Sequence, residues 1–342
     1  MAQDGDDSAP QFRFSLAEAN PVLSRGIGVD WGCEQGTIFA PRVLELNGRF
    51  YMFYSGSCNR SGKPAAIGFA TSEDGLHWSR FDSNPILEPD GEGYDAMCVS
   101  LGVPMVEDNR WVMYYAGNST PCAGPGQHIG RAVADDPAGP WVRDAQPLLN
   151  AGAPGEWDEG FIMPHAVIRT EAGYEMYYSG GSEYLLPLPR LIGMATSSDG
   201  ITWAKYDDPA TTEAPYEASD PILEISPDGA EESLSVWGLD VHYTDRGWEM
   251  IFSTVCPEST APGCPLYIGY GVSDDGLHWR LFRSREMAIL TRAQVNQPWA
   301  SYCICQPTFV KQDEEYLLYF TGCTEAANDC QIGAARGTIV WS

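Results

Sequence analysis

One short unit recurs five times along this chain, and the recurrence narrows the fold more than composition does. Residues 48–87 read GRFYMFYSGSCNRSGKPAAIGFATSEDGLHWSRFDSNPIL. The first half returns as RWVMYYAG, YEMYYSGG, WEMIFSTV and YLLYFTGC; the second returns as IGRAVADD, IGMATSSDG, IGYGVSDDG and IGAARG. Gly68, Gly130, Gly193, Gly269 and Gly333 mark one position of the unit, roughly every 60 to 75 residues. Such a period means a repeat architecture, in which no single unit buries its own faces.

Within each unit, short aromatic and β-branched runs bounded by turn residues predict strands. An apolar run precedes the FYMFY-type strand each time: FAPRVLEL, LGVPMVE, IMPHAVIR and CQPTFVK. The Asp-Gly of SEDGLHW, SSDGITW and SDDGLHW predicts a tight hairpin with positive φ at both central residues, leading to a strand with Trp78, Trp203 or Trp279. Each unit is then a four-stranded antiparallel meander. Five of them packed radially make an all-β, five-bladed β-propeller with only short edges. No sustained 3.6-residue apolar period supports a helical solenoid. FRFSLAEANPVL near the N-terminus resembles SRFDSNPIL and VRDAQPLL, and the fifth unit lacks such a segment. The N-terminal strand is therefore expected to close the ring. Residues 1–11 are expected as a disordered tail and 12–342 as one propeller domain.

The formal charge is −27, from 47 acids against 20 bases. Such a surface repels phosphate, so neither nucleic acid nor an anionic membrane is expected as a partner. No apolar run reaches the length that spans a bilayer. A monomer is expected. Residues 1–10 are polar and read as a mature N-terminus behind an added Met, hence a secreted or periplasmic protein whose signal peptide is gone. Ten cysteines agree. Cys33, Cys98, Cys303 and Cys305 fall at the starts of inner strands, and Cys58, Cys122, Cys256, Cys264, Cys323 and Cys330 in loops after the FYMFY-type strand. All belong to one face of the ring, and about five disulfides are expected there. A thiolate metal site is the alternative, although Cys303-Ile-Cys305 lacks the two-residue spacing usual for zinc.

With these repeats the chain resembles the five-bladed propeller glycoside hydrolases, families 43, 32, 62, 68 and 130. It is most similar to relatives with repeats of the kind MWYSG…IGYATSxDGxxW. The resemblance covers nearly the whole chain and implies a site at the mouth where the innermost strands begin. In families 43 and 32 three acids on blades one to three act there, often as Asp directly before Pro. Here Ala40, Val103 and Met163 precede Pro41, Pro104 and Pro164. Those catalytic positions therefore do not carry over.

Other acids are candidates. Glu34, Asp95 and Asp158 lead into the first three inner strands and could provide the two carboxyl groups that glycoside hydrolysis needs; alternatively they bond turn N–H groups. Asp240 lies within an inner strand, two residues from His242 and so on the same side of it. Arg42 and His165 break the repeat pattern, the Arg needing an anionic partner and the His able to donate to a sugar hydroxyl or move a proton. Glu159, Glu183, His128 and Gln306 share the loop face, and Trp157, Trp237, Trp31 and Trp299 could stack on sugar rings or simply pack. His77 and His278 read as structural surface residues.

The resulting expectation is a secreted glycoside hydrolase acting on a poly- or oligosaccharide through paired carboxylates at the propeller mouth. A non-catalytic glycan-binding propeller and a His/carboxylate metal-dependent lyase-type enzyme remain as alternatives. If a metal is present, oxygen ligands with few histidines suit Ca²⁺ best.

Overall fold

The computed structural model describes residues 9–25, 36–58, 63–120, 126–182, 191–223, 236–255, 265–282, 284–324 and 329–341. They form five antiparallel sheets arranged as blades around an axis. The innermost strands are Thr37–Leu46, Cys98–Glu107, Phe161–Thr170, Val236–Thr244 and Cys303–Gln312. Each contacts the inner strands of both neighbouring blades, closing the ring. The second strands are Arg49–Cys58, Arg110–Asn118, Gly173–Gly181, Gly247–Val255 and Glu315–Cys323. These are the repeated FYMFY-type segments. Apolar side chains between successive sheets form the interblade cores; Tyr114, Met176 and Tyr178, for instance, share one cluster between blades two and three.

The N-terminal strand Pro10–Leu16 pairs antiparallel with Cys330–Trp341 and becomes the outermost strand of blade five. The likeness between ANPVL and SNPIL is structural as well. Asn84 brackets the backbone of Phe69, accepting from its N–H at 2.8 Å and donating to its carbonyl at 3.0 Å. Asn20 does the same to Ala334, at 2.8 and 2.7 Å. Leu23 then bridges to Ile332 as Leu87 does to Ile67.

The Asp-Gly hairpins differ from expectation. Only the glycines Gly75, Gly200 and Gly276 have positive φ; the aspartates do not. Asp74 instead accepts from the N–H groups of Leu76 and His77, as Asp199 does from Ile201 and Thr202 and Asp275 from Leu277 and His278. These bonds favour the charged form, and hold Asp199 at a pKa of about 2. His77 and His278 are exposed and paired with Asp74 and Asp275.

The same turns tie blade to blade. Tyr114 donates to the carbonyl of Gly200 at 2.8 Å, Tyr177 to that of Gly276 at 2.9 Å, and Tyr319 to that of Gly75 at 2.8 Å. In each case the tyrosine ring meets the turn's tryptophan edge-on, at 5.7, 6.0 and 5.8 Å for Trp203, Trp279 and Trp78. Blades two and five lack the Asp-Gly turn, and the blades preceding them carry Phe53 and Ile251 at the tyrosine's place. The hydroxyl is present only where a turn carbonyl awaits it.

Candidate functional site

Strand pairing corrects the alignment of the units. Arg42, Val103, Ala166, Asp240 and Thr308 lie opposite Phe53, Tyr114, Tyr177, Ile251 and Tyr319, and so form one level around the axis. In blades one, two and five a bulge precedes that level, and its first residue is Ala40, Leu101 or Gln306, with φ of 51°, 54° and 50°. Pro104 therefore lies beyond the bulge, and Pro164 within it, one place ahead of His165. Arg42 and His165 occupy successive places rather than the same one.

Arg42 is buried at the hub. Its Nε donates to the His165 carbonyl at 2.9 Å, Nη1 to the carbonyls of Pro41 and Pro307 at 2.9 and 3.2 Å, and Nη2 to that of Leu239 at 2.9 Å. A remaining Nη2 proton meets His165 Nδ1 at 3.3 Å. All five guanidinium N–H groups are thus used, on blades one, three, four and five. Because Nδ1 accepts, the His165 proton sits on Nε2, which donates to Ser179 Oγ at 2.9 Å. Neither residue has a donor to spare for a substrate. Burial lowers the Arg42 pKa, and Asp240 acts against that.

Asp240 is buried and accepts four hydrogen bonds. Oδ2 accepts from His242 Nε2 at 2.9 Å, Thr308 Oγ1 at 2.7 Å and the Phe309 N–H at 3.2 Å, while Oδ1 accepts from the Val241 N–H at 3.0 Å. Burial favours its neutral form, but His242, Arg42 and Thr308 together outweigh this and hold its pKa below the usual carboxylate value. Burial likewise works to lower the pKa of His242, and Asp240 more than compensates, so it is raised. The His242 ring lies tilted against Phe309, with centroids 4.2 Å apart, and 33% of its side chain is exposed. It lines two cavities on the side of the hub away from the mouth. One, about 300 Å³, is bounded by Arg42, Val103, Ala166, Asp240 and Thr308; the other, about 640 Å³, by Glu45, Asp245, Lys311 and Glu314. Arg42 lines the smaller of the two.

On the mouth side the described residues nearest the axis are apolar. Ala40, Leu101, Phe161 and Met163 are buried together with Ala116, and Phe39 packs on them. Gln306 is the polar neighbour, and its Oε1 already accepts from the Ala40 N–H at 3.1 Å and Thr321 Oγ1 at 3.2 Å.

The lead-in acids share a different repeat position. Asp95 accepts from Tyr115 at 2.8 Å and faces Arg143 Nε at 3.6 Å. Asp158 meets Lys205 Nζ at 2.5 Å. Arg143 and Lys205 both belong to the outermost strands of their blades, Val142–Arg143 and Ala204–Lys205. Preceding each acid is an aromatic ring stacked on the second strand: Tyr94 on Tyr115 at 6.3 Å and Trp157 on Tyr178 at 5.8 Å. Trp299 repeats this on Phe320 at 5.8 Å, with Ala300 in the acid's place. Only glycines below leave room: a Cβ at Gly117 would lie 2.7 Å from Asp95, one at Gly180 2.8 Å from Asp158, and one at Gly322 2.7 Å from Ala300. These pairs clamp the lead-in segment onto its blade, and nothing in the sequence marks Arg143 and Lys205 as their partners.

Trp157 is buried and donates to Ser219 Oγ at 3.1 Å, so it packs rather than presenting a face. Glu159 accepts from the Gly155 N–H at 2.6 Å. His128 Nδ1 accepts from the Ala151 N–H at 3.1 Å; burial, aided by Lys205, lowers its pKa. Glu34, Glu183, Trp31 and the Trp237 side chain lie outside the described residues. The structure thus brings Arg42, His165, Asp240 and His242 together at the hub. Asp95 and Asp158 are each held within their own blade.

Among the described residues, the side chains close enough to share an ion are Cys303, Cys305 and Cys323, whose soft sulfurs do not suit Ca²⁺. Cys323 and Cys330 form a disulfide and Cys98 is also disulfide-bonded, whereas Cys303 and Cys305 carry thiols. Among the described residues, Cys303 and Cys305 thus depart from the expectation that all ten cysteines are bridged.

No family model matches the chain. A β-1,2-mannobiose phosphorylase of Thermoanaerobacter sp. (strain X514) is 31% identical over 118 residues, 31% of this chain and 37% of that relative. Among solved structures, a complex with RGII superposes with a TM-score of 0.68 at 15% identity, over 92% of this chain and 91% of the other. A family 117 glycoside hydrolase from Zobellia galactanivorans superposes with a TM-score of 0.58 at 17% identity, over 97% and 90%. In fold, this chain is a five-bladed propeller of the kind found in glycoside hydrolases.

Proposed function

We propose that this propeller is a carbohydrate-active enzyme, a secreted glycoside hydrolase acting on an oligo- or polysaccharide, and that His242 moves the proton. The observation that carries the reading is the Asp240–His242 pair. A buried carboxylate that accepts four hydrogen bonds holds one imidazole nitrogen at 2.9 Å, while the ring opens onto a cavity of about 640 Å³. Hydrolysis needs a group that protonates the leaving oxygen and another that takes a proton from water. Asp240 accepts four hydrogen bonds, three of them at the oxygen that meets His242, and serves as the orienting group. With its Nε2 occupied, His242 would donate from Nδ1, and its raised pKa favours the protonated form this requires. Glu45 lines the same cavity and is the carboxylate proposed to take the proton from water. The fold shared with glycoside hydrolases supports the substrate class, and the disulfides support secretion.

The test is a screen of oligosaccharides for product release, followed by His242→Gln. Turnover is expected to fall by about 10² to 10⁴ in a variant that still folds, as its circular dichroism would show. Unchanged turnover in His242→Gln would remove the histidine from the chemistry. Secretion predicts at most two titratable thiols in the unfolded, unreduced chain; ten would overturn it.

A second reading, glycan binding without catalysis, is favoured by one specific observation: among the described residues, the cluster of Ala40, Leu101, Phe161 and Met163 at the mouth is apolar. It expects retention of a glycan on an array with no product from that same glycan.

A further inference from the structure

Blade five carries four cysteines on three adjacent strands. Cys303 and Cys305 lie two apart on the inner strand and so project to one side of it. Cys303 is directly opposite Cys323 in the ladder, and Cys323 is directly opposite Cys330. All four are buried, with Phe39 and Tyr302 packed on them. The Sγ atoms of Cys303, Cys305 and Cys323 lie within 4.8 Å of one another, and the fourth sulfur is bonded to Cys323. The spacing Cys303-Ile-Cys305 argues against zinc along the chain, but sheet pairing supplies what sequence spacing does not.

We propose that blade five holds a second, redox-gated site: with the Cys323–Cys330 bridge reduced, Cys303, Cys305, Cys323 and Cys330 together bind one thiophilic divalent cation, Zn²⁺ by preference. The reductant is a dithiol. It passes two electrons and two protons to the bridge, giving two thiols and becoming a disulfide itself. Four thiols then release four protons as the cation binds four thiolates. Tetrahedral zinc has Zn–S bonds of about 2.3 Å, which puts its sulfurs roughly 3.8 Å apart. Three of the four sulfurs already lie within reach of that arrangement, and the fourth is released beside them by reduction. The strands are fixed by their own hydrogen bonds, so the site is preorganised. Such a site would replace one cross-link between the last two strands of blade five with another when the surroundings turn reducing.

Cobalt(II) is a direct probe. Reduced, anaerobic protein freed of reductant should take up one Co²⁺ per chain, with the visible bands of tetrahedral cobalt thiolate, and one equivalent of Zn²⁺ should bleach them. Cys305→Ser and Cys303→Ser should each lose those bands, while Cys98→Ser, outside the cluster, keeps them. The zinc form should show four sulfurs at about 2.3 Å by X-ray absorption, a readout that needs no variant. Protein with the bridge intact should show no four-sulfur site. Tetrahedral bands of undiminished intensity in Cys305→Ser, or fewer than four sulfurs around zinc in the reduced parent, would overturn the proposal.

Discussion

Arg42 and Asp240 show how a residue that interrupts a repeat can serve the ring itself. A single guanidinium satisfies carbonyls on four of the five blades, and Asp240 joins blades four and five through Thr308. Asp240→Asn would turn an N–H toward donors that now meet a carboxylate and leave Arg42 without its buried counter-charge. It is expected to cost about 3 kcal/mol in denaturant melts, and a near-parental midpoint would exclude this structural role. The same pair sets a pH dependence. Asp240 has a lowered folded pKa, so its stabilisation is present above the unfolded value of about 3.9 and is lost as pH falls through the folded value. His242 has a raised one, so its stabilisation is full below about 6.5 and is lost as pH rises through the folded value. The pair's contribution should therefore be largest between those limits. His242→Gln should flatten the decline on the alkaline side; an unchanged slope in the variant would place its origin elsewhere.

Among the elements, the Asp-Gly turn does more than reverse the chain. Its glycine carbonyl is the acceptor for a tyrosine one blade earlier, at Gly75, Gly200 and Gly276. Tyr114→Phe should destabilise by about 1 kcal/mol, because the Gly200 carbonyl loses that donor inside an interblade core. The control is Tyr243→Phe, at an exposed ring whose hydroxyl makes no such tie. Equal midpoints for Tyr114→Phe and the parent would show the bond contributes nothing. The lead-in clamps are the other recurring device, with an aromatic ring and then an acid or alanine laid over a bare glycine. In the sequence these acids are catalytic candidates, and nothing local marks that Arg143 and Lys205 arrive from the outermost strand.

At the scale of the whole molecule, closure depends on two ends of the chain meeting in blade five. Pro10–Leu16 covers the last strand along seven residue pairs, and Asn20 and Leu23 lock the following turn. Deleting residues 1–23 should therefore destabilise the whole ring rather than trim an end. A truncated protein that melts like the parent would show that closure by this strand is dispensable.

The sequence by itself determined the number of blades, the order of strands within each and the strand that closes the ring. Each rests on a short-range signal repeated along the chain: alternating apolar runs, Asp-Gly turns, and an Asn-Pro-x-Leu segment at two places. It also singled out Arg42, His165, Asp240 and His242, since a residue type that departs from its own repeat is visible without coordinates. What those residues touch is visible only in the tertiary structure. The bulges begin at Ala40, Leu101 and Gln306, side chains with no local mark of a positive φ, so the level of each inner strand could not be aligned from prolines. Whether a buried acid faces a cation, a hydroxyl or open space depends on partners far away in sequence, such as Asp158 with Lys205 and Asp240 with Thr308. So does the gathering of four cysteines, which are neighbours across a sheet and not along the chain.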